Sequence, residues 1–155
     1  MPAIVLDTNL LMLLVVGATS TSLIGRHDRL AAYSKADFDL LGDCLAGSSQ
    51  IVVTPHTLTE TSNLLRQIGN PARDKISATL KGLIARAEER FIDGRKAIDH
   101  KDYIRLGLTD CALMSATGGG EELLTVDLDL YLAALRHGGN AVNFNHVRVA
   151  AGLLS

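Results

Sequence analysis

The sequence predicts an α/β fold, with one parallel-type sheet covered by helices. Two observations carry this. Short apolar runs rich in β-branched residues alternate with longer segments of helical periodicity, as βα units require. Of four separate acidic residues, Asp7 in AIVLDTNLL, Glu60 in TPHTLTETSNLL, Asp110 in LGLTDCALM and Asp127 in LLTVDLDLY, three stand where an apolar run ends or a helix begins. The 155 residues, 47 % of them apolar, suit a single domain over 1–155 with one sizeable core.

Residues 3–6 read as a buried strand ended by Asp7, with Thr8 and Asn9 starting a helix over 10–16. Small and polar residues over 17–25 predict a loop. A helix over 37–45 places Phe38, Leu41 and Leu45 on one face. Ile51 to Val53 is the second strand. Thr54 and Pro55 then give a capping hydroxyl and a proline at the first helical position. That helix runs to about Ile68, before Gly69, Asn70 and Pro71, and a second one over 73–90 completes a helical hairpin. Residues 91–100 read as a short strand or a plain connection, and 102–106 as weakly helical. Gly107 breaks the chain and Thr109 is expected to cap a helix over 110–116. After a glycine turn at 118–120, residues 123–126 form a strand ended by Asp127. A helix over 128–136, a strand over 141–144 and a helix over 147–154 follow.

Charge and aromatic content narrow the function. A net charge of −2, from 15 basic and 17 acidic residues, excludes gripping nucleic acid by bulk charge. Aromatics at 4 % and the absence of Trp argue against a base-stacking platform. A polyanionic substrate would need bound metal and a local basic patch. Arg26, His27, Arg29 and Lys35 in IGRHDRLAAYSK are the candidate substrate-binding residues; they read equally as a solvated loop. Cys44 and Cys111 lack metal-site spacing and read as two buried reduced thiols, with a disulfide left open. The start lacks a basic n-region, and Asp7 and Asn9 interrupt its apolar run. The remaining apolar piece, 10–18, is too short for a bilayer, so a cytoplasmic protein without membrane contact is expected.

The four acids suit one chemistry. Strand ends and helix starts gather at one edge of an α/β sheet, where such folds bind ligands. Carboxylates gathered there repel one another unless a hard cation sits among them. Asp7 reads as a metal ligand or a helix cap. On the Glu60 helix, His56, Glu60, Asn63 and Gln67 form a polar stripe opposite Leu58, Thr61, Leu65 and Ile68. Asp110 opens a helix that is apolar nearly all round, so its charge needs a partner or a metal. Asp127 is read as a ligand and Asp129 as the cap or a supporting residue. Asn9 and Thr125 are placed around the ligands, Thr125 orienting a carboxylate through its hydroxyl. Held this way, Mg²⁺ or Mn²⁺ would serve hydrolysis of a phosphodiester without a protein nucleophile.

The ordered set Asp7-Thr8-Asn9, Glu60, Leu108-Thr109-Asp110-Cys111 and Thr125-Val126-Asp127 resembles that of the PIN-domain nucleases, which include toxin ribonucleases of bacterial toxin–antitoxin pairs. The likeness spans nearly the whole chain. It implies a three-layer α/β/α sandwich with a mainly parallel sheet, an acidic metal site and single-stranded RNA as substrate. It also implies a homodimer and, for a toxin, an antitoxin partner. Residues 19–50 are longer than in compact toxin members and resemble a less characterised bacterial branch. Two other readings stand beside this one. A phosphotransfer protein would want an acid where Asn9 lies and a late lysine, yet no Lys follows Lys101. A non-catalytic scaffold of the same fold would bind a partner protein.

Overall fold

Ile4–Leu6 forms β1, and all three residues are buried. A strand apolar on both faces requires cover on both faces, and the chain supplies it. The computed structural model describes residues 1–155. Its strands are β1, β2 (Ile51–Val53), β3 (Glu88–Glu89), β4 (Glu122–Thr125) and β5 (Asn140–Asn143). They form one all-parallel sheet in the order β3-β2-β1-β4-β5. The chain winds outward from β1 through β2 to β3, then crosses back to lay β4 and β5 on the other side. The β1/β4 boundary, with Leu6 opposite Leu124, is therefore the point where strand order reverses.

Strand alternation splits the core. Ile4, Leu6, Val53 and Leu124 pack with α1 (Thr8–Thr19), α2 (Lys35–Ala46), α3 (Pro55–Leu65) and α4 (Ala72–Arg86). Val5, Val52 and Leu123 face the other way. They pack against residues of α5 (Gly94–Ile98), α7 (Leu108–Ala116) and α8 (Leu128–Arg136). The result is a three-layer α/β/α sandwich: the all-parallel sheet covered by helices is what the alternation of elements predicted, and the three layers are what the family resemblance implied. No helix is long and apolar enough to cross a membrane.

Several boundaries differ from the sequence reading. Residues 17–25 are not a loop: α1 continues through Thr19, and Thr21–Arg26 forms a 3₁₀ helix that buries Leu23 and Ile24. Gly17 marks close packing rather than a break, because a Cβ there would collide with the Phe38 ring. The hairpin's second helix ends at Arg86, and the edge strand β3 is the acidic pair Glu88–Glu89. Two exposed or half-buried acids on an edge strand carry no apolar signal. Residues 91–100 hold α5, not a strand; α6 (Tyr103–Leu106) follows. The last helix, α9 (Phe144–Ala150), starts three residues earlier than expected because Asn143 caps it, accepting from the Asn145 N–H at 2.9 Å. Both cysteines are free; Cys111 is buried but Cys44 only half-buried.

One ion pair ties the last helix to α2. The Arg148 Nε donates to Asp37 Oδ1 at 2.7 Å, and its Nη atoms donate to the Asn145 side chain and the Ala32 carbonyl. The guanidinium lies over the Tyr33 ring, 4.8 Å from its centroid. Asp37 also accepts from the Ser34 N–H at 2.8 Å, so one carboxylate serves both the start of α2 and the anchor of α9. The two side chains are only 7 % and 4 % exposed. Arg148→Met leaves Asp37 buried without its counterion and should lower unfolding free energy by roughly 3–5 kcal/mol in urea titration. A loss below about 1 kcal/mol would mean the pair behaves as a surface contact.

Candidate active site

The four acids converge. Asp7, Asn9, Glu60, Asp110 and Asp127 line one polar cavity of about 400 Å³, walled on one side by Gly107 and Leu108. Asp7 follows β1 and Asp127 follows β4, so the cavity sits at the carboxyl ends of the strands where their order reverses. Parallel α/β sheets open a crevice there, because the connections on either side diverge to opposite faces.

Asp7 is the most constrained of the four. Its Oδ1 accepts from the Leu10 N–H at 2.9 Å, capping α1. Its Oδ2 accepts from the Thr125 hydroxyl at 2.6 Å and the Val126 N–H at 2.9 Å. Cap and site residue are thus the same side chain. Burial pushes its carboxyl above the usual range, more than those three hydrogen bonds pull it down, and Asp127 adds to the rise. Thr125 is the shared hinge of the site: its oxygen also accepts from the Asp127 N–H at 3.0 Å.

Asp127, not Asp129, caps α8, accepting from the Leu130 N–H at 3.0 Å through Oδ1. Asp129 is therefore not the cap. One turn position beyond the cap it points outward, 70 % exposed, and pairs with Arg105 at 3.3 Å. Glu60 lies on the exposed face of α3, and its Oε2 accepts from the Thr109 hydroxyl at 3.0 Å. That contact corrects the role expected for Thr109. The helix α7 begins at Leu108 after Gly107, whose φ of 87° favours glycine, and Thr109 orients Glu60 rather than capping.

Asp110 feels all the others. Burial first, then Asp127, Asp7 and Glu60, push its carboxyl up to about 7. Burial and three neighbouring carboxylates thus leave this one only about half ionised at neutral pH. The cavity offers carboxylate, amide and hydroxyl oxygens and no His or Cys, a donor set that fits a hard cation such as Mg²⁺ or Mn²⁺. A second polar hollow, lined by His56, Thr59 and Asn63, shares Glu60 and Thr109 with the first. The polar stripe on α3 thus extends the site, whereas the helix ends at Leu65, short of the expected Ile68, and Gln67 beyond it accepts from Arg29.

The expected basic patch does not form. His27 is 1 % exposed, with Nδ1 accepting from the Arg29 N–H. Lys35 pairs with Asp39 at 2.7 Å, one turn along α2. Arg26 is exposed but borders a separate hollow with Thr19, Ser22 and Lys75. With His27 buried and Lys35 on α2 tied to Asp39, nearness in sequence did not become one free basic surface.

No family model matches the chain, and no curated protein matches it. A solved domain of a functionally unknown protein from Methanocaldococcus jannaschii DSM 2661 is similar at 17 % identity, over 92 % of this chain and 91 % of that one, with a TM-score of 0.47.

The raised Asp110 carboxyl sets a pH dependence. Its pKa is about 7 folded against the model-peptide 3.8, so the folded state holds its proton over that window while the unfolded state releases it. Its contribution is intact below about pH 4 and is lost as pH rises toward 7. Without divalent cations, the Tm of wild type should fall relative to Asp110→Asn between those limits. Parallel Tm curves for the two proteins would show that Asp110 is not under this repulsion.

Proposed function

We propose that the chain is a Mg²⁺- or Mn²⁺-dependent endoribonuclease that hydrolyses phosphodiester bonds in single-stranded RNA. The observation that carries this is the convergence of Asp7, Glu60, Asp110 and Asp127 on one cavity, with the Asp110 carboxyl held up to about 7 by burial and its acidic neighbours. The RNA substrate rests on the resemblance of the same four motifs to PIN-domain nucleases.

Asp7, Asp110 and Asp127 would hold the cation. When bound, it lowers the pKa of water and offsets charge on a phosphoryl oxygen. The protein's own part is to fix oxygens in place before substrate arrives. Thr125 holds Asp7 Oδ2, and the start of α8 holds Asp127 Oδ1, leaving its Oδ2 for the ligand. Thr109 turns Glu60 toward the cavity, where its carboxylate positions and accepts a proton from the attacking water. Asn9 adds an amide at the rim.

A phosphotransfer role is disfavoured by the lining, which contains no lysine to steady a phosphoryl group. The scaffold reading draws on α8, where Leu128, Leu132 and Leu135 are 55 %, 42 % and 43 % exposed at helical spacing. Within the nuclease reading that stripe suits a homodimer or antitoxin contact. A cytoplasmic location and a role as a toxin belong to the same proposal.

The test is cleavage of mixed single-stranded RNAs by purified protein with Mg²⁺, with Mn²⁺ and with chelator. Asp110→Asn is the informative variant, since Asp7 and Asp127 also cap helices; it should abolish metal-dependent cleavage while the circular dichroism spectrum is unchanged. Cleavage at the wild-type rate would sink the reading. Thr125→Val, close in volume, removes one donor to Asp7 and should weaken metal affinity or activity by roughly 10–100-fold. No metal-dependent stabilisation and no cleavage by wild type would favour the scaffold.

A further inference from the structure

A different donor set stands outside the acidic cavity. His100 and Asp102 lie between α5 and α6, and His137 follows the last residue of α8. One ligand atom from each lies within 4.8 Å of the other two. The His137 Nε2 is 3.1 Å from Asp102 Oδ2, and the His100 Nδ1 is 4.0 Å from the same oxygen. The two imidazoles meet edge to face with centroids 4.3 Å apart. Donors around a four-coordinate zinc ion stand about 3.3 Å from one another, so movements of an ångström or less would complete the triangle.

The geometry points to a second cation site, in which His100, Asp102 and His137 take Zn²⁺ and water fills the remaining position. Two imidazole nitrogens with one carboxylate select a borderline cation over Mg²⁺, the reverse of the all-oxygen cavity. The side chains are 17 %, 17 % and 31 % exposed, open enough for entry of the ion and its water.

Two arginines beside Asp102 argue the other way, and the division of its oxygens answers them. Arg105 Nη2 lies 3.3 Å from Oδ1, while both histidines face Oδ2. Arg105 also keeps Asp129 as a partner, so it can remain on Oδ1 and support a ligating carboxylate from outside. The Arg136 contact to Oδ2 is long, at 3.9 Å. Binding costs two hydrogen bonds, from the Asp102 N–H to His100 Nδ1 and between His137 Nε2 and Asp102 Oδ2, each at 3.1 Å; the ion replaces both. The ion would join the segment leading into α6 to the far end of α8. It is independent of the nuclease reading.

Metal-stripped full-length protein titrated with Zn²⁺ tests it, with wild type, His137→Gln, His100→Gln and Asp110→Asn compared by equilibrium dialysis and Tm. One Zn²⁺ per chain should bind wild type and Asp110→Asn, undisplaced by excess Mg²⁺. Each histidine variant should raise the Kd at least about tenfold, the lower end of the loss seen on removing even an outer support of a metal ligand. Zinc binding that survives both histidine variants and disappears in Asp110→Asn would assign the ion to the acidic cavity and overturn the proposal. So would the absence of any zinc-dependent Tm rise in wild type. Should a histidine variant fail to fold, imidazole proton resonances of wild type decide. Those of His100 and His137 must shift on adding Zn²⁺, and unchanged resonances refute the site.

Discussion

The hydrogen bond from Thr125 to Asp7 joins the ends of two adjacent parallel strands, and the acidic cavity depends on it. β1 and β4 pair along their length, but their chains leave the sheet in different directions. Asp7 Oδ2, held by the Thr125 hydroxyl and the Val126 N–H, closes that gap. The bond places a buried carboxylate beside Asp127, whose N–H is held by the same threonine. Buried like charges are costly, so the network has to supply enough donors to keep Asp7 in place. It does so with three, two from backbone amides that cannot rotate away.

Capping and ligand binding are not rival explanations for Asp7 and Asp127. A carboxylate has two oxygens, and a helix N-terminus takes only one of them. Using Oδ1 for the cap fixes the side-chain torsions and aims the remaining oxygen. At Asp127 that leaves Oδ2 for the cavity. At Asp7 it leaves less, since Oδ2 already accepts twice; any cation there has to share an oxygen with the network. This division is what lets a short strand–helix junction serve as both stop signal and site.

The side of the molecule around α6 works differently. Asp102 gathers Arg105, Arg136 and His137, and Arg105 passes on to Asp129 in the first turn of α8. Short helices such as α6 have little stability of their own. Polar contacts of this kind, with Gly107 turning the chain into α7, hold the wall of the cavity against α8. The buried Asp37–Arg148 pair does the corresponding work on the opposite layer, fastening α9 to α2.

Much of this was legible in the residues. The Thr54-Pro55 start, the bounds of β2 and α8, the alternation of strands and helices, and the three Asp residues at strand ends and a helix start are all local patterns. They act through capping, backbone propensity and period, which neighbours in sequence decide. The rest depended on what each side chain meets across the fold. Nothing in GRHDR told His27 that it would be buried, or Glu88 and Glu89 that they would pair with Val52 and Val53. Thr109 looked like a cap until Glu60, 49 positions away, supplied an acceptor. His100, Asp102 and His137 had no joint meaning until α8 ended beside α6. Local chemistry determined which residues could carry charge to the sheet edge; only packing determined which charges would face one another, because electrostatic energy depends on distance in space and not along the chain.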